Sequence, residues 1–149
     1  MMKTMEVAHN IANKLNKLSD VSLLALRLIL AYGFWGPAMN KWNNMQGVAD
    51  WFESLGYPLP LLNAYLAGTT ELLGVFLLGL GLFTRIISIP LMIVMLVAIF
   101  TVHWSNGFAA GDNGFEIPLY YLAMLFVLFT NGAGKISLDR IFFSRKNPD

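Results

Sequence analysis

The chain has 149 residues, 56% of them hydrophobic and 13% charged, with a net charge of +1 and a mean hydropathy of +0.58. Ordinary soluble domains carry about 25% charged residues, so this composition excludes a typical water-soluble globule and points to one membrane-embedded domain. The absence of cysteine excludes disulfide exchange and thiolate metal sites within the chain.

Residues 1–20 lack the apolar core and small-residue cleavage site of a signal peptide. Ile11, Leu15 and Leu18 recur at helical spacing with Lys14 and Lys17 between them, the pattern of a short helix lying on a membrane surface. Four spans follow, Val21–Asn40, Leu61–Phe83, Ile86–Trp104 and Ile117–Thr130, since about 20 helical residues cross about 30 Å of hydrocarbon. The fourth is short and is expected to begin nearer Phe115 or to run on to Ala133. The expected fold class is therefore an all-α membrane protein. A four transmembrane helix bundle over residues 21–134 follows the N-terminal segment and precedes a basic tail, 135–149.

Within span one, Pro37 follows Gly33 and Gly36 and predicts a kink whose freed carbonyls are buried in protein or face a cavity. In the next loop Met45, Val48, Phe52 and Leu55 share a helical face ahead of Gly56. They predict a short amphipathic helix capping the mouth of the bundle. Trp42, Trp51 and Tyr57 add interfacial aromatics, and Tyr57-Pro58-Leu59-Pro60 predicts an extended connection. Span two is dense in small residues, with Ala64 and Gly68, then Thr70 and Gly74, at small-xxx-small spacing. Such residues serve close helix approach, here more naturally within the bundle than between copies. Pro90 falls in the first turn or so of span three, where it costs little. The loop Ser105–Glu116 is rich in Gly and Asn without periodicity, the pattern of a mobile connection open to a partner.

Basic residues set the orientation. Lys3, Lys14, Lys17, Arg85, Lys135, Arg140, Arg145 and Lys146 fall on one side of a four-crossing topology, and only Lys41 on the other. The positive-inside rule then puts both termini in the cytoplasm. Topology accounts for these cations, so no nucleic-acid partner is implied; phosphate-loop, dinucleotide and metalloprotease motifs are absent as well.

Glu71 is the single ionisable residue of span two. A carboxylate at that depth costs at least ~2.5 kcal/mol, which makes it a functional-site candidate in need of a partner. Arg27, about six residues into span one, is one such partner, but on antiparallel helices it leans inward while Glu71 leans outward, which disfavours a direct pair and leaves water or Tyr32 to close the gap; it also suits snorkelling toward the membrane surface. A neutral Glu71 could instead donate to a quinone-type oxygen, or act only as a buried polar lock between helices. Lys41, His103 and Glu116 lie by helix counting near the outer interface and could converge on a polar head group, a proton or a metal. One histidine and one carboxylate are a weak metal set. Met39, Met92 and Met95 suit Cu(I) in chemistry but lack a third ligand and equally suit gap filling, so no metal ligands are assigned and copper ranks below a quinone.

In order and spacing, the chain resembles the DoxX family of small four-helix membrane proteins. The resemblance spans roughly Arg27 to Asp139. It rests on Arg27-Leu28 and Asn40-Lys41, Phe52-x-x-Leu55-Gly56-x-Pro58, and Gly68-x-x-Glu71-Leu72-Leu73-Gly74. It continues through Leu80-Gly81-Leu82-Phe83-Thr84-Arg85, Ala98-Ile99-Phe100-x-Val102-His103, and Gly132-x-Gly134-Lys135-Ile136-Ser137-Leu138-Asp139. It implies a polytopic inner-membrane protein linked to redox biology, with relatives among quinone-reducing sulfur enzymes, oxidative-stress complexes and copper-peptide maturation systems. Arg27, Lys41, Glu71, Arg85 and His103 match its motifs. The cysteines of the more distant MauE-like relatives are missing, which removes support for a disulfide relay. The expected function is a redox-associated subunit that holds a quinone or lipid-like ligand near Glu71 and works with a partner protein in the membrane. The alternatives are an anchor or assembly module for soluble partners without its own ligand, and a small transporter that would need an oligomer.

Overall fold

The computed structural model describes residues 2–143, with side chains from residue 18 onward. The chain forms helices α1 (Met2–Asn43), α2 (Met45–Ser54), α3 (Pro60–Leu80), α4 (Thr84–Ala98), α5 (Glu116–Asn131) and α6 (Leu138–Phe143). Helix α4 continues through a π turn, Ile99–His103, and a 3-10 turn, Trp104–Asn106. Three segments, Leu18–Asn43, Pro60–Leu80 and Thr84–Asn106, are long and apolar enough to cross a membrane, and the apolar α5 adds a shorter fourth. Helix α1 packs against α3 and α5, and α4 against the same two, which closes a four-helix bundle. One end carries α2 and the 107–115 loop and is called the capped end; the other carries the 81–83 turn and residues 132–143 and is called the terminal end.

The bundle is organised by narrow stripes. Along α3 the buried residues are Ala64, Gly68, Glu71, Gly74 and Leu78, steps of three and four that mark one helical face. Leu30, Phe34, Leu78, Leu91, Leu125 and Leu128 fill the centre. The outward faces remain apolar (Ile29, Phe76, Ile93 and Phe126 are all exposed), as lipid contact requires. The glycines work inside the bundle: a Cβ on Gly74 would stand 2.8 Å from Leu91, and one on Gly33 would strike the Tyr121 ring. Close approach of this kind supplies dispersion contact where lipid offers no hydrophobic drive.

Helix α2 is the amphipathic cap anticipated in the first loop. Asn44 accepts from the Gly47 amide at its start, and Ala49 and Phe52 pack on Ala64 of α3 with Met45, Val48 and Tyr57 around them.

Several expectations need correction. Span two ends at Leu80, three residues early, because Gly81 adopts φ +67° and the Gly81 and Leu82 amides fold back onto Leu78 and Leu77, a glycine stop. Span three begins at Thr84, so Pro90 lies in its second turn and deprives the Ile86 carbonyl of its helical donor. The 57–60 connection is bent, not extended: Leu59 takes φ +49°, and its carbonyl accepts from the Asn63 amide at 3.0 Å to start α3. The 107–115 segment is a compact loop closed by Phe115 N to Gly107 O and Glu116 N to Phe108 O, both 3.0 Å. Its rings join too, Trp104 stacking on Phe115 and Phe108 meeting it edge-on. Gly114 permits this, since a Cβ there would sit 2.4 Å from the Gly107 carbonyl oxygen. Helix α1 is continuous from Met2 into the span; the side chains behind the surface-helix pattern, Ile11, Lys14, Leu15 and Lys17, lie outside the described residues, as do Arg145 and Lys146.

The terminal end is sealed around Gly81, where a Cβ would lie 2.0 Å from the Arg27 guanidinium. Gly81→Ala should therefore lower stability by about 3 kcal/mol through backbone strain and displacement of Arg27. Gly79→Ala, which meets nothing nearer than Ala31 at 3.9 Å, should be neutral or stabilising by about 0.5–1 kcal/mol. Unfolding of the two variants in detergent checks the contrast.

Candidate functional site

Glu71 is paired, and its partner is Lys41. The Lys41 Nζ donates to Oε1 at 3.0 Å and to Oε2 at 2.9 Å. The two residues come from antiparallel helices, and the geometry follows from side-chain direction. Helical side chains lean toward their own N-terminus, so Lys41 leans from the end of α1 into the bundle while Glu71 leans back toward the capped end. Gly68, one turn before Glu71, clears the way: a Cβ there would lie 3.4 Å from the lysine Cβ. Trp42 locks the seam by donating to the Gly68 carbonyl at 3.2 Å. The pair is deeply placed, with 4% of the Glu71 side chain and 18% of the Lys41 side chain exposed.

Arg27 is not part of this pair. It is buried at the terminal end, where it donates to the carbonyls of Leu78, at 3.2 Å, and Ile136. Asp139 lies near enough to attract it, while its carboxylate accepts from the Phe83 and Thr84 amides at 2.7 and 3.0 Å. Arg27 thus leans toward the helix N-terminus as snorkelling requires, but it ends on protein carbonyls. Tyr32 stands 85% exposed on the outside of α1 and bridges nothing to Glu71.

The Lys41–Glu71 pair lines a cavity of about 430 Å³ at the capped end. Its walls are mainly apolar: Phe34 and Pro37 from α1, Phe52 from α2, Met95 and Ala98 from α4, Tyr121 from α5. Gly33 and Pro37 both border it; α1 runs through Pro37 as one continuous helix, in which the proline leaves the Gly33 carbonyl without its helical donor. His103 is a second polar group in the wall. Its Nδ1 lies 2.7 Å from the Asn113 carbonyl oxygen; a carbonyl only accepts, so Nδ1 donates and, in the neutral ring, Nε2 is the acceptor. Glu116 does not join this group. Its carboxylate accepts from the Ala110 amide at 2.9 Å and the Tyr120 hydroxyl at 3.0 Å, which ties the loop to α5. Of the six residues singled out in the sequence, then, Lys41, Glu71 and His103 come together at one cavity, Glu116 supports its roof, and Arg27 and Tyr32 lie elsewhere. Asn63, Asn113 and Tyr121 also line the cavity and had no distinguishing sequence signal; Tyr57, read from the sequence as an interfacial aromatic, lines it too. Among the described residues, no three His, Asp or Glu side chains converge as metal ligands. Met95 sits in the core with Met92 packed against it.

The family model for DoxX matches residues 22–104, which include Arg27, Lys41, Glu71 and His103. The chain belongs to the DoxX family. It is 38% identical over 127 residues to an uncharacterized protein of Haemophilus influenzae, covering 83% of this chain and 84% of that one. It is 30% identical over 132 residues to a Bacillus subtilis protein described as "Putative oxidoreductase CatD", covering 89% and 95%. It is 30% identical over 125 residues to the inner membrane protein YphA of Escherichia coli, covering 80% and 89%. No solved structure matches the chain.

A buried pair broken on one side leaves an uncompensated charge, at a cost of about 3–5 kcal/mol. Lys41→Met should show that loss in detergent unfolding, Glu71→Gln a smaller one of about 1–3 kcal/mol because its amide oxygen still accepts from Lys41. The double variant Lys41→Met/Glu71→Met should recover most of the stability. A double variant as unstable as Lys41→Met would contradict this account of the seam.

Proposed function

We propose that this DoxX protein is a redox-associated subunit of the bacterial inner membrane, with both termini in the cytoplasm. In this proposal the capped-end cavity holds a quinone or lipid-like ligand while a partner protein carries out the electron transfer. The observation that carries the proposal is the cavity at the Lys41–Glu71 pair. Its volume of about 430 Å³ falls within the range of about 300–1,000 Å³ that small-molecule pockets occupy. Apolar walls with a few polar groups suit a ligand with an apolar body and hydrogen-bonding oxygens. Lys41 has three N–H donors, and Glu71 occupies two; the third can donate to a ligand oxygen. The Nε2 of His103 can accept from a ligand hydroxyl. A quinone bound there would supply two-electron chemistry; the chain's own part is to bind it, orient it and exclude water. The description of the Bacillus subtilis relative points the same way, and that of the Escherichia coli relative supports the membrane assigned.

Ligand extraction from detergent-purified protein, read by mass spectrometry, tests this. Wild type should retain a quinone or a similar amphipathic molecule. Ala98→Phe, which places a ring in the cavity and keeps both residues of the ion pair, should lose it while unfolding near the wild-type temperature. Glu71→Gln should retain less. A wild type without ligand, or an Ala98→Phe variant that keeps it, would transfer the weight to an assembly module that recruits partners without a ligand of its own.

A further inference from the structure

We propose a second binding site, for an anionic phospholipid, in a groove at the terminal end. The proposal is independent of the cavity and rests only on the chain being a membrane protein. The groove, of about 1210 Å³, lies between residues 19–26 of α1, the start of α4, the end of α5 and the segment after it. Three cations line it, Arg85, Lys135 and Arg140, with Asp20 and Asp139 beside them.

The two carboxylates are engaged by backbone. Asp139 accepts from the amides of Phe83 and Thr84, and Asp20 accepts from the Lys135 amide at 2.8 Å. The cations are underused. Arg85 donates one N–H, from Nη2, to the Thr130 carbonyl at 3.1 Å. Lys135 approaches Asp20 at 3.7 Å with 72% of its side chain exposed. The Arg140 guanidinium has no partner among the described residues, its amide alone bonding to Ser137. Two guanidinium forks and an ammonium around one groove suit a phosphate, which arginine binds in bidentate fashion.

The apolar surroundings select a lipid over a soluble anion. Leu23, Ile86 and Val127 line the same groove, and Ile86 is 66% exposed. Next to Arg140, α6 presents Ile141, Phe142 and Phe143 at 72%, 66% and 59% exposure. Such a cluster is a liability in water, but at a bilayer surface it inserts among acyl chains beside the head groups. Cationic pockets between membrane helices take anionic head groups in this manner.

The test uses full-length protein in a neutral detergent, titrated with phosphatidylglycerol, phosphatidylcholine or glycerol 3-phosphate, with binding read by native mass spectrometry and stability by thermal unfolding. Phosphatidylglycerol should bind more tightly than phosphatidylcholine and raise the unfolding temperature. Lys135→Gln/Arg140→Gln removes two side chains with little or no part in the fold. It should weaken phosphatidylglycerol binding roughly thirtyfold, in line with about 1 kcal/mol for each of the two cations near a surface, and leave the lipid-free unfolding temperature unchanged. Equal binding of the two lipids, or an unaffected double variant, would overturn the proposal. So would displacement of phosphatidylglycerol by equimolar glycerol 3-phosphate, which would make the groove a site for soluble anions.

Discussion

The seam between α1 and α3 is pinned at two heights by cations that α1 buries, and the rest of the bundle is arranged around those pins. Near the capped end Lys41 closes on Glu71; near the terminal end Arg27 closes on the Leu78 carbonyl. In lipid, apolar side chains gain packing contact but no hydrophobic free energy at a helix interface, so polar pairing helps to set register. Sliding α3 by one turn, about 5.4 Å, would strand both cations at once. The seam also recruits the chain end: Arg27 reaches Ile136, and Asp139 holds the amides that open α4. The segment after α5 is thereby part of the fold.

The cavity forms where this packing is relaxed. Pro37 interrupts the hydrogen-bond ladder of α1, and α4 gives way to a π turn at Ile99–His103. A π turn bonds each residue to the fifth along instead of the fourth, and such turns recur at functional sites. Its effect here is concrete: Ala98 and His103, five apart, both face the cavity. The Thr101 hydroxyl bonds to Tyr57, so the turn is anchored to the connection that follows α2. The π turn on one wall and the proline on another, roofed by α2 and the 107–115 loop, border space that larger side chains would have filled.

Much of this was legible in the residues. Hydropathy gave the apolar helices of the bundle, and the face shared by Met45, Val48 and Phe52 gave the cap. The DoxX motifs were recognisable before their geometry was. Pairing was less legible, although the decisive rule was available: side chains on antiparallel helices meet when each leans toward the other. That rule disfavoured Arg27 as the partner of Glu71, and applied to Lys41 it selects the pair that forms. The compact 107–115 loop was hidden because its order comes from backbone closure and ring contacts across Gly114, which no periodicity reveals. The early stop of α3 was signalled by Gly81, whereas the second demand on that glycine, room for the Arg27 guanidinium where a Cβ would stand, is tertiary.

The motifs of the family separate physically into two groups. Gly81, Arg27 and Asp139 direct their polar groups onto one another's surroundings within the protein, so their role is closure of the terminal end. Lys41 and Glu71 also hold helices together, yet they do so at a cavity wall, and this restricts what the cavity can take. The pair is neutral as a whole. An anionic ligand would compete with Glu71 for the lysine and leave a buried carboxylate unpaired, which is costly. A cationic ligand would compete with Lys41 in the same way. A neutral molecule that only accepts the spare N–H of Lys41 disturbs neither charge. On the two binding proposals, the seam that fixes the fold would favour uncharged, oxygen-bearing ligands at the capped end, whereas the cations of the terminal groove, which keep spare N–H donors, would favour an anion.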